Sequence, residues 1–311
     1  MAEFTHDTEY VAIAVAPQSI NAEFLNNRLQ TACDAAGLVL QGPANLLGRQ
    51  QGWTAIEYDV RFAESDVQEA RSTLAQRLGD IADSALLPRA HRRKKLLVSD
   101  MDSTIIEQEC LDELADFAGL KSEISEVTER AMRGELDFET ALRERVAKLK
   151  GLSLSALQAC FDTKLTLMPG ARTLTATMRA HGAYCLLVSG GFTYFTQRVA
   201  ERAGFQSHRG NSLLDDGSHL TGQVGEPILG REAKGAFLDE AAFANGVTRR
   251  DALAMGDGAN DLDMIGAAGL GIAVHAKPIV AKAADAAIDR TDLTTALYFQ
   301  GYHDDEIVWQ G

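Results

Sequence analysis

The sequence has few cysteines, no long apolar run and no signal peptide, and each absence narrows the class of protein. Four cysteines are scattered over 311 residues without a CxxC pair, which favours free thiols in a reducing cytosol. No apolar run approaches the ~20 residues that a membrane span needs. The first residues, MAEFTHDTEY, lack a cationic stretch followed by an apolar one. We therefore expect a cytoplasmic protein that does not enter a membrane.

Positive charge is also scarce, because 44 acidic residues outnumber 30 lysines and arginines and give a formal net charge of −14. This balance disfavours nucleic acids and anionic membrane surfaces as partners. A small-molecule substrate is the remaining expectation. If that substrate is anionic, local positive charge or a metal ion must attract it.

The N-terminal region, residues 1–90, has the order β-α-β-β-α-β, which is typical of a ferredoxin-like α+β domain. Its helix "ESDVQEARSTLAQRLGD" is expected to begin at a cap formed by Ser65 or Asp66. The order resembles small regulatory modules of the ACT type in topology only. We expect the module to serve homodimerisation or small-molecule regulation, and the basic segment 88–95 to be a solvated connector.

From Leu96 onward, short apolar segments bounded by Gly or Asp alternate with helical patterns. These segments are "LLVSD", "YCLLVSGG", "ALAMGD", "GLGIAV" and "AAI". They predict a doubly wound, Rossmann-like parallel sheet with its site at the carboxyl ends of the strands. The core is predicted at 91–106 and 164–311, with a helical cap inserted after the first strand at 107–163. "GNSLLDDGSHLTGQV" predicts a hairpin that turns at Asp216-Gly217.

Polar motifs follow several of these strands. Asp100 and Asp102 follow the first strand, "VSGG" ends the second, Lys234 lies near the start of a helix, and "GDGAND" follows a later strand. Each motif alone is typical of an ordinary structure: a turn or N-cap, a turn, a surface charge, and a loop or calcium-binding turn. Their joint occurrence beside apolar strands indicates one site.

Carboxylates packed together need a cation unless one of them is protonated. Asp100, Asp257 and Asp261 offer oxygen ligands that suit Mg²⁺. The ion, together with Lys234, would leave a net attraction for a phosphate dianion.

The spacing of Asp100 and Asp102 has its own chemistry. Asp100 could attack phosphorus and form an aspartyl phosphate. Asp102 could protonate the leaving oxygen and then take a proton from water. The Ser189 hydroxyl and the amides of Gly190 and Gly191 would donate hydrogen bonds to the phosphate.

These motifs, "DMDST", "SGG", Lys234 and "GDGAND", closely resemble those of the haloacid dehalogenase superfamily of phosphohydrolases, over roughly residues 94–292. One departure is Met101, where Phe is more usual. The segments "STIIEQE", "TERAMRGELDFETALRERV" and "LMPGA" are similar to the cap and boundary segments of members that hydrolyse O-phospho-L-serine. The resemblance therefore implies a Mg²⁺-dependent phosphatase of O-phospho-L-serine, at the last step of serine biosynthesis.

The resemblance also implies roles for individual residues. For catalysis and the metal, it implies Asp100 as nucleophile, Asp102 as acid/base with its backbone carbonyl on Mg²⁺, and Asp257 as the further metal ligand. For the phosphate, it implies Ser189, Gly190 and Lys234, while Asn260 and Asp261 would support Lys234, the metal and its waters. For the rest of the substrate, it implies Glu109 on the ammonium group, Arg145 on the carboxylate, and Met132 and Phe138 as the lining of the pocket. A phosphorylated amino acid has three charged ends, and the planar fork of arginine suits a carboxylate.

Ordinary alternatives stay open for the substrate-facing residues. Glu109 could be an acid favoured at a helix start, Arg145 could be solvated, and Met132 and Phe138 could be core residues. For the whole protein, the alternatives are a phosphatase of phosphohomoserine or phosphothreonine, and a sensor that uses a phospho-aspartate.

Overall fold

The computed structural model describes residues 9–62, 66–132 and 135–310, which form a mixed α/β protein built around one extended sheet. Throughout these residues, every helix is too short or too polar to reach across a lipid bilayer.

The N-terminal region is an antiparallel sheet with two helices on one face. Its elements are β1 (Tyr10–Pro17), α1 (Ala22–Ala35), β2 (Leu38–Leu40), β3 (Asn45–Gly48), β4 (Trp53–Phe62), α2 (Val67–Leu78) and β5 (Asp83–Pro88). β1 lies between β4 and β5, antiparallel to both. The short strand β3 pairs with β4, antiparallel to it. Asp66 caps α2 by accepting from two backbone N–H groups, whereas the alternative cap, Ser65, lies outside the described residues.

The first core strand is followed by four helices rather than by a second strand. These elements are β6 (Leu96–Ser99), α3 (Cys110–Phe117), α4 (Lys121–Met132), α5 (Phe138–Lys148) and α6 (Leu154–Lys164). Leu114, Leu142 and Leu157 face inward from three of the helices and share one apolar core with the sheet. Burial of this shared surface holds the predicted cap over the end of β6.

The rest of the core alternates strands and helices. Its elements are α7 (Ala171–Ala180), β7 (Tyr184–Phe192), α8 (Thr193–Ala203), β8 (Ser207–Asn211), β9 (Leu213–Asp215), β10 (Leu220–Val224), α9 (Arg231–Ala244), β11 (Ala252–Gly256), α10 (Leu262–Ala267), β12 (Leu270–Val274), α11 (Pro278–Ala283), β13 (Ala286–Ile288) and α12 (Thr295–Phe299), with 3-10 turns at Arg249–Asp251, Ala259–Asp261 and Asp304–Glu306. β6 lies between β11 and β7, parallel to both. The strand order reverses there, so the end of β6 lies in the crevice where doubly wound sheets bind ligands.

The predicted hairpin is formed by β9 and β10, with Gly217 in its turn at a φ of 91°. It is attached to the cap as well as to the core. The Gly151 N–H donates to the Leu220 carbonyl at 2.8 Å, and the Leu154 N–H donates to the Ser218 carbonyl at 2.9 Å. The hairpin of β9 and β10 therefore holds the connection between α5 and α6 of the cap.

The N-terminal antiparallel sheet and the parallel sheet of the core are joined into one. Ala85 of β5 pairs with Ala286 of β13. The resulting sheet has eleven described strands, ten of them in the order β2-β4-β1-β5-β13-β12-β11-β6-β7-β8. The eleventh, β3, pairs with β4 beside this path. The face of β1 opposite its helices packs Val11 and Ile13 into the same apolar core as Tyr298 of α12. The N-terminal region is thus fixed to the core by strand pairing and by side-chain packing.

The prediction that residues 88–95 form a solvated connector holds for five of the eight residues, which are exposed, but not for Arg92 and Lys94. The Arg92 guanidinium is 2.7 Å from the Glu57 carboxylate, and both side chains are only about a tenth exposed. Arg92 also donates to the Tyr298 and Phe299 carbonyls. Lys94 is buried and donates to the carbonyls of Arg250 and Gly269. Sequence composition shows the charges of such a segment but not the acceptors that tertiary packing brings to them.

Candidate active site

A buried lysine lies between two buried aspartates at the carboxyl edge of the sheet. The Lys234 Nζ is 2.7 Å from the Asp100 Oδ1 and 2.6 Å from the Asp261 Oδ1, and no more than 6% of any of these side chains is exposed. Asp100 directly follows β6, Lys234 lies in the first turns of α9, and Asp261 ends the 3-10 turn after β11. Three separate elements therefore converge on one point, as the sequence predicted.

The carboxylates outnumber the cation. Asp100, Asp257 and Asp261 each bring one oxygen to within 4.8 Å of the others. Burial raises the pKa of Asp100 well above its usual range, and Asp261 and Asp102 raise it further, although Lys234 acts in the opposite direction. Burial lowers the pKa of Lys234, but the two carboxylates more than offset this effect and keep it charged. This all-oxygen donor set with excess negative charge fits Mg²⁺.

Asp102 is held by two donors from different parts of the chain. Its Oδ1 accepts from the Cys110 N–H at 2.8 Å, and its Oδ2 accepts from the Ser189 hydroxyl at 3.1 Å. Burial raises the pKa of Asp102, and these hydrogen bonds oppose the shift. A carboxyl group with a raised pKa can hold a proton, as a general acid must.

Glycines at the end of β7 leave room for close approach. A Cβ on Gly191 would lie 3.1 Å from the Asp102 Oδ2 and 3.0 Å from the Ser189 Oγ. The Gly191 N–H itself donates to the Ser189 Oγ at 2.8 Å. A Cβ on Gly190 would meet the Phe138 ring at 3.6 Å. Phe138 of the cap is therefore placed over the "SGG" loop, and it is 44% exposed rather than part of the core.

Two charged residues of the cap, Glu109 and Arg145, lie near enough for their charges to interact. Glu109 stands at the N-cap of α3, but its side chain does not cap the helix and instead accepts from the Ser103 hydroxyl at 2.8 Å. Partial loss of hydration, and then Asp102, raise the pKa of Glu109 to about 7, although the residue is exposed to solvent.

Arg145 is half-buried in the last turn of α5 and donates its Nε to the Ala141 carbonyl at 3.3 Å. Burial lowers its pKa, while the charges of Asp112 and Glu109 raise it. Across the residues that the structure describes, Arg145 forms no ion pair, since the neighbouring Glu144 pairs with Arg130 at 2.8 Å. A half-buried guanidinium without an ion pair is available to an anionic ligand.

Two predicted residues are not placed against the others. Met132 ends α4, but its side chain lies outside the described residues. Asn260 is exposed, and its Oδ1 lies over Gly258, 2.2 Å from the position that a Cβ would take there. Among the described residues its side chain makes no hydrogen bond, so its expected support of Lys234 stays a prediction.

One buried residue near the site, Asn211 at the end of β8, was not predicted from the sequence. Its Nδ2 donates to the Gly190 carbonyl at 2.8 Å, and its Oδ1 accepts from the Leu229 N–H at 2.7 Å. Asn211 thus joins the "SGG" loop to the loop that leads into α9 and Lys234. Only its place before the hairpin could have marked it, because nothing local distinguishes it from a turn asparagine.

Fold and site together define a doubly wound α/β protein with a capped acidic site at the strand ends. The chain belongs to the haloacid dehalogenase-like hydrolase family, whose family model matches residues 97–265. That span contains the three aspartates of the cluster, Lys234, Arg145 and the whole cap.

Similar proteins include curated relatives and solved structures. A phosphoserine phosphatase of Archaeoglobus fulgidus is 41% identical over 244 residues, covering 77% of this chain and 70% of that one. A probable phosphoserine phosphatase from Vibrio cholerae, solved without ligand, has a TM-score of 0.74 and 28% identity over 97% of this chain and 89% of its own. A phosphoserine phosphatase solved as a phospho-aspartyl intermediate analogue has a TM-score of 0.60 and 38% identity, over 67% of this chain and 99% of its own.

Proposed function

We propose that the protein is a Mg²⁺-dependent phosphatase that hydrolyses O-phospho-L-serine to L-serine and phosphate, the last step of serine biosynthesis. The observation that carries the proposal is the excess of buried carboxylates around a single lysine at the end of β6. An arrangement so rich in negative charge is costly without a cation. The phosphoserine phosphatases among the relatives support the choice of substrate.

In the first step, an Asp100 oxygen attacks phosphorus as the bond from phosphorus to the serine oxygen breaks. Asp102 gives its proton to that oxygen, so L-serine leaves as the alcohol. In the second step, Asp102 takes a proton from water, whose oxygen attacks phosphorus. The bond to Asp100 breaks, and phosphate leaves with both carboxyl groups restored. The bond from Ser189 to Asp102 places the hydroxyl of the phosphate loop beside this proton path.

Asp100, Asp257 and the Asp102 backbone carbonyl would hold Mg²⁺, with Asp261 supporting it. The bound ion would neutralise charge that develops on the phosphoryl oxygens. Lys234, Ser189, Gly190 and Asn260 would hold the phosphate itself.

The cap would read the amino-acid end of the substrate. Glu109 would accept the ammonium group, Arg145 would bind the carboxylate, and Phe138 with Met132 would close the pocket. The place of the Phe138 ring over Gly190 and the unpaired guanidinium of Arg145 support this assignment.

The predicted division of the chain gives each part a role: core 91–106 and 164–311 for chemistry, cap 107–163 for specificity, and module 1–90 for regulation. Homodimerisation through the module stays a prediction. We further propose a cytoplasmic location, which the four free cysteines support.

The metal assignment is tested by phosphate release from O-phospho-L-serine with Mg²⁺ and with EDTA. We expect release only with Mg²⁺, and Asp257→Asn should raise the Mg²⁺ concentration needed by about tenfold or more. Asp263→Asn is the matched control, because Asp263 follows in α10 and pairs with Arg231 on the surface. Equal effects of both variants, or full activity in EDTA, would contradict the proposal.

The substrate assignment is tested on α5. Arg145→Ala should raise KM for O-phospho-L-serine by about tenfold or more, since a hydrogen-bonded charge is removed. It should leave KM for O-phosphoethanolamine, which lacks the carboxylate, nearly unchanged. Arg143→Ala, which loses exposed pairs with Glu226 and Glu139, should affect neither substrate. A higher kcat/KM on phosphothreonine or phosphohomoserine would select that substrate instead.

A further inference from the structure

A short loop, residues 103–109, joins the aspartate pair after β6 to the first cap helix, and hydrogen bonds hold both of its ends. The Ser103 N–H donates to the Gln108 carbonyl at 3.3 Å. The Gln108 side chain binds Thr166, on the segment that returns from the cap to the core. Its Nε2 donates to the Thr166 hydroxyl at 2.7 Å, and its Oε1 accepts from the Thr166 N–H at 2.9 Å. The loop is therefore fixed in place relative to both chain crossings.

Ser103 opens this loop in a backbone conformation that few residues other than glycine adopt. Its φ is 54°, in the left-handed region that a Cβ disfavours. In this conformation the Ser103 hydroxyl donates to the Glu109 Oε1 at 2.8 Å, six residues further along the chain. Unfavourable backbone conformations that persist beside an active site are often part of its working arrangement. The bond to Glu109 is what this conformation provides.

Glu109 does not take the structural role that its position offers. It is the N-cap residue of α3, yet its side chain makes no capping bond. The Cys110 N–H, the first of the helix, donates instead to the Asp102 Oδ1 at 2.8 Å. Within the described part of the chain, the Ser103 hydroxyl is the only hydrogen-bond partner of the Glu109 carboxylate. The carboxylate is thus turned back towards the aspartate pair.

The two oxygens of this carboxylate differ. Oε1 accepts from Ser103, whereas Oε2 has no hydrogen bond to any residue that the structure describes. Partial loss of hydration, and then the charges of Asp102, Asp257 and Asp112, raise the pKa of Glu109, and the bond from Ser103 opposes this rise. An ammonium group near Oε2 would therefore be attracted by several carboxylates, but only Glu109 would offer it an oxygen held in a fixed direction.

We propose that Ser103 is a positioning residue that makes this site prefer phosphomonoesters with an amino group. Its hydroxyl orients the Glu109 carboxylate so that Oε2 faces the ammonium group of the substrate. The inference rests on the proposed function, in which Glu109 accepts that group. Because Glu109 is exposed, without the hydroxyl its side chain would turn into solvent, and binding would have to order it again.

The test compares two substrates that differ only at the ammonium group. They are O-phospho-L-serine and 3-phosphooxypropanoate, which keeps the phosphate and the carboxylate but carries hydrogen in place of the amino group. We would measure kcat/KM on both for the native chain, Ser103→Ala, Ser103→Gly and Ser155→Ala. Alanine and glycine both remove the hydroxyl, but glycine also tolerates the positive φ, so a folding defect of Ser103→Ala would not decide the result. Ser155→Ala is the matched control, since Ser155 is an exposed serine of the cap whose hydroxyl bonds to that of Ser153.

We expect both Ser103 variants to lower kcat/KM for O-phospho-L-serine by about tenfold, mainly through KM, because a hydrogen bond to a charged group is lost. They should leave kcat/KM for 3-phosphooxypropanoate nearly unchanged, and Ser155→Ala should affect neither substrate. Equal losses on both substrates would mean that Ser103 only supports the fold of the loop. That result, or no loss on either substrate, would overturn the proposal.

A double-mutant cycle shows whether Ser103 acts through Glu109. Glu109→Gln should lower kcat/KM for O-phospho-L-serine, and Ser103→Ala should have little further effect in that background. Additive losses would show that the two residues act independently, and this too would overturn the proposal.

The proposed function is judged separately, by phosphate release from O-phospho-L-serine in the native chain. If the native chain prefers phosphothreonine or phosphohomoserine, the same comparison is made between that substrate and its analogue without the amino group. An active native chain whose Ser103 variants show no selective loss would refute the role of Ser103 alone. A native chain that hydrolyses none of these amino-acid phosphates would refute the proposed function, and the role of Ser103 with it.

Discussion

Two regions of the extended sheet both bury charged side chains, but they balance those charges differently. At the module junction, Arg92 has Glu57 and two carbonyls, and Asp83 has three backbone N–H groups and a hydroxyl. At the end of β6, Asp100, Asp257 and Asp261 gather around a single lysine. The first region satisfies its charges internally, and the second does not.

This difference separates a structural role from a functional one. A buried ion pair with complete hydrogen bonding is neutral or mildly costly to keep, and strongly destabilising to break from one side. A buried cluster with excess charge of one sign raises the free energy of the fold until a ligand arrives, which is typical of active sites. Substitutions should therefore affect stability at the junction and activity at the end of β6.

The largest effect on activity is expected from Asp100→Asn. Loss of the proposed nucleophile should lower phosphate release by roughly 10³-fold or more. In EDTA the variant should unfold at the same or a higher temperature, because a neutral amide relieves repulsion with Asp261 and the cost of burying a charge. Scanning calorimetry with EDTA and an assay with Mg²⁺ measure the two parts. A variant that keeps its activity, or that loses several kcal/mol of stability, would break the comparison.

Arg92→Met is expected to lower the stability of the fold and to leave the activity nearly unchanged. It leaves the buried Glu57 carboxylate without its ion pair and with only the hydrogen bond from Asn45, and should lower the free energy of unfolding by about 3 kcal/mol. Urea denaturation measures this change, and kcat at a temperature below unfolding should stay within about twofold of native. Arg89→Met is the control in the same segment, since Arg89 is half exposed in its pair with Asp59 and should contribute less than about 1 kcal/mol. Similar losses from both variants would contradict a structural role specific to Arg92.

Asn211 tests this comparison of structural and functional roles. Its side-chain hydrogen bonds are satisfied within the protein, although it lies beside the proposed active site. Asn211→Ala should lower kcat/KM by about tenfold, since the Gly190 carbonyl loses its donor, and stability by about 2 kcal/mol. Asn211→Asp keeps the acceptor for the Leu229 N–H but not the donor, so it should separate the two bonds. Asn245→Ala, which removes an asparagine bond to a helix carbonyl of α9, serves as the control. Unchanged kcat/KM in Asn211→Ala would show that the residue serves the fold alone.

The smallest effect concerns Glu306 near the C-terminus, which pairs with Arg93 at 2.6 Å. The hydrogen bond from Arg93 lowers the pKa of Glu306 from 4.5 to about 2. The pair therefore stabilises the fold above about pH 4.5, and this contribution is lost as the pH falls towards 2.

Because the pair is partly solvated, the contribution should be at most about 1 kcal/mol. Glu306→Gln should be less stable than the native chain at pH 6, and this difference should shrink by pH 3. Urea denaturation at both pH values measures it. A difference that grows on acidification would mean that another group dominates.

Much of the active site was predictable because its residues lie at fixed offsets from buried strands. Asp100 follows four buried residues, three of them apolar, so its position at the sheet edge follows from the strand itself. Asn211 was not predictable, because its role depends on the Gly190 and Leu229 backbone groups, which come from 21 and 18 residues away. The buried contacts of Arg92 within the segment 88–95 were not predictable for the same reason, since its acceptors lie far away along the chain.

The sequence by itself determined the parallel core, the helical insert and the convergence of the motifs on one edge, because strand periodicity and burial are local properties. Only the tertiary structure decided that the N-terminal sheet continues into the core sheet and that Asp102 is held by Ser189. Those features depend on distances between residues far apart in the chain. Such distances are set by how whole elements pack, which no local pattern encodes.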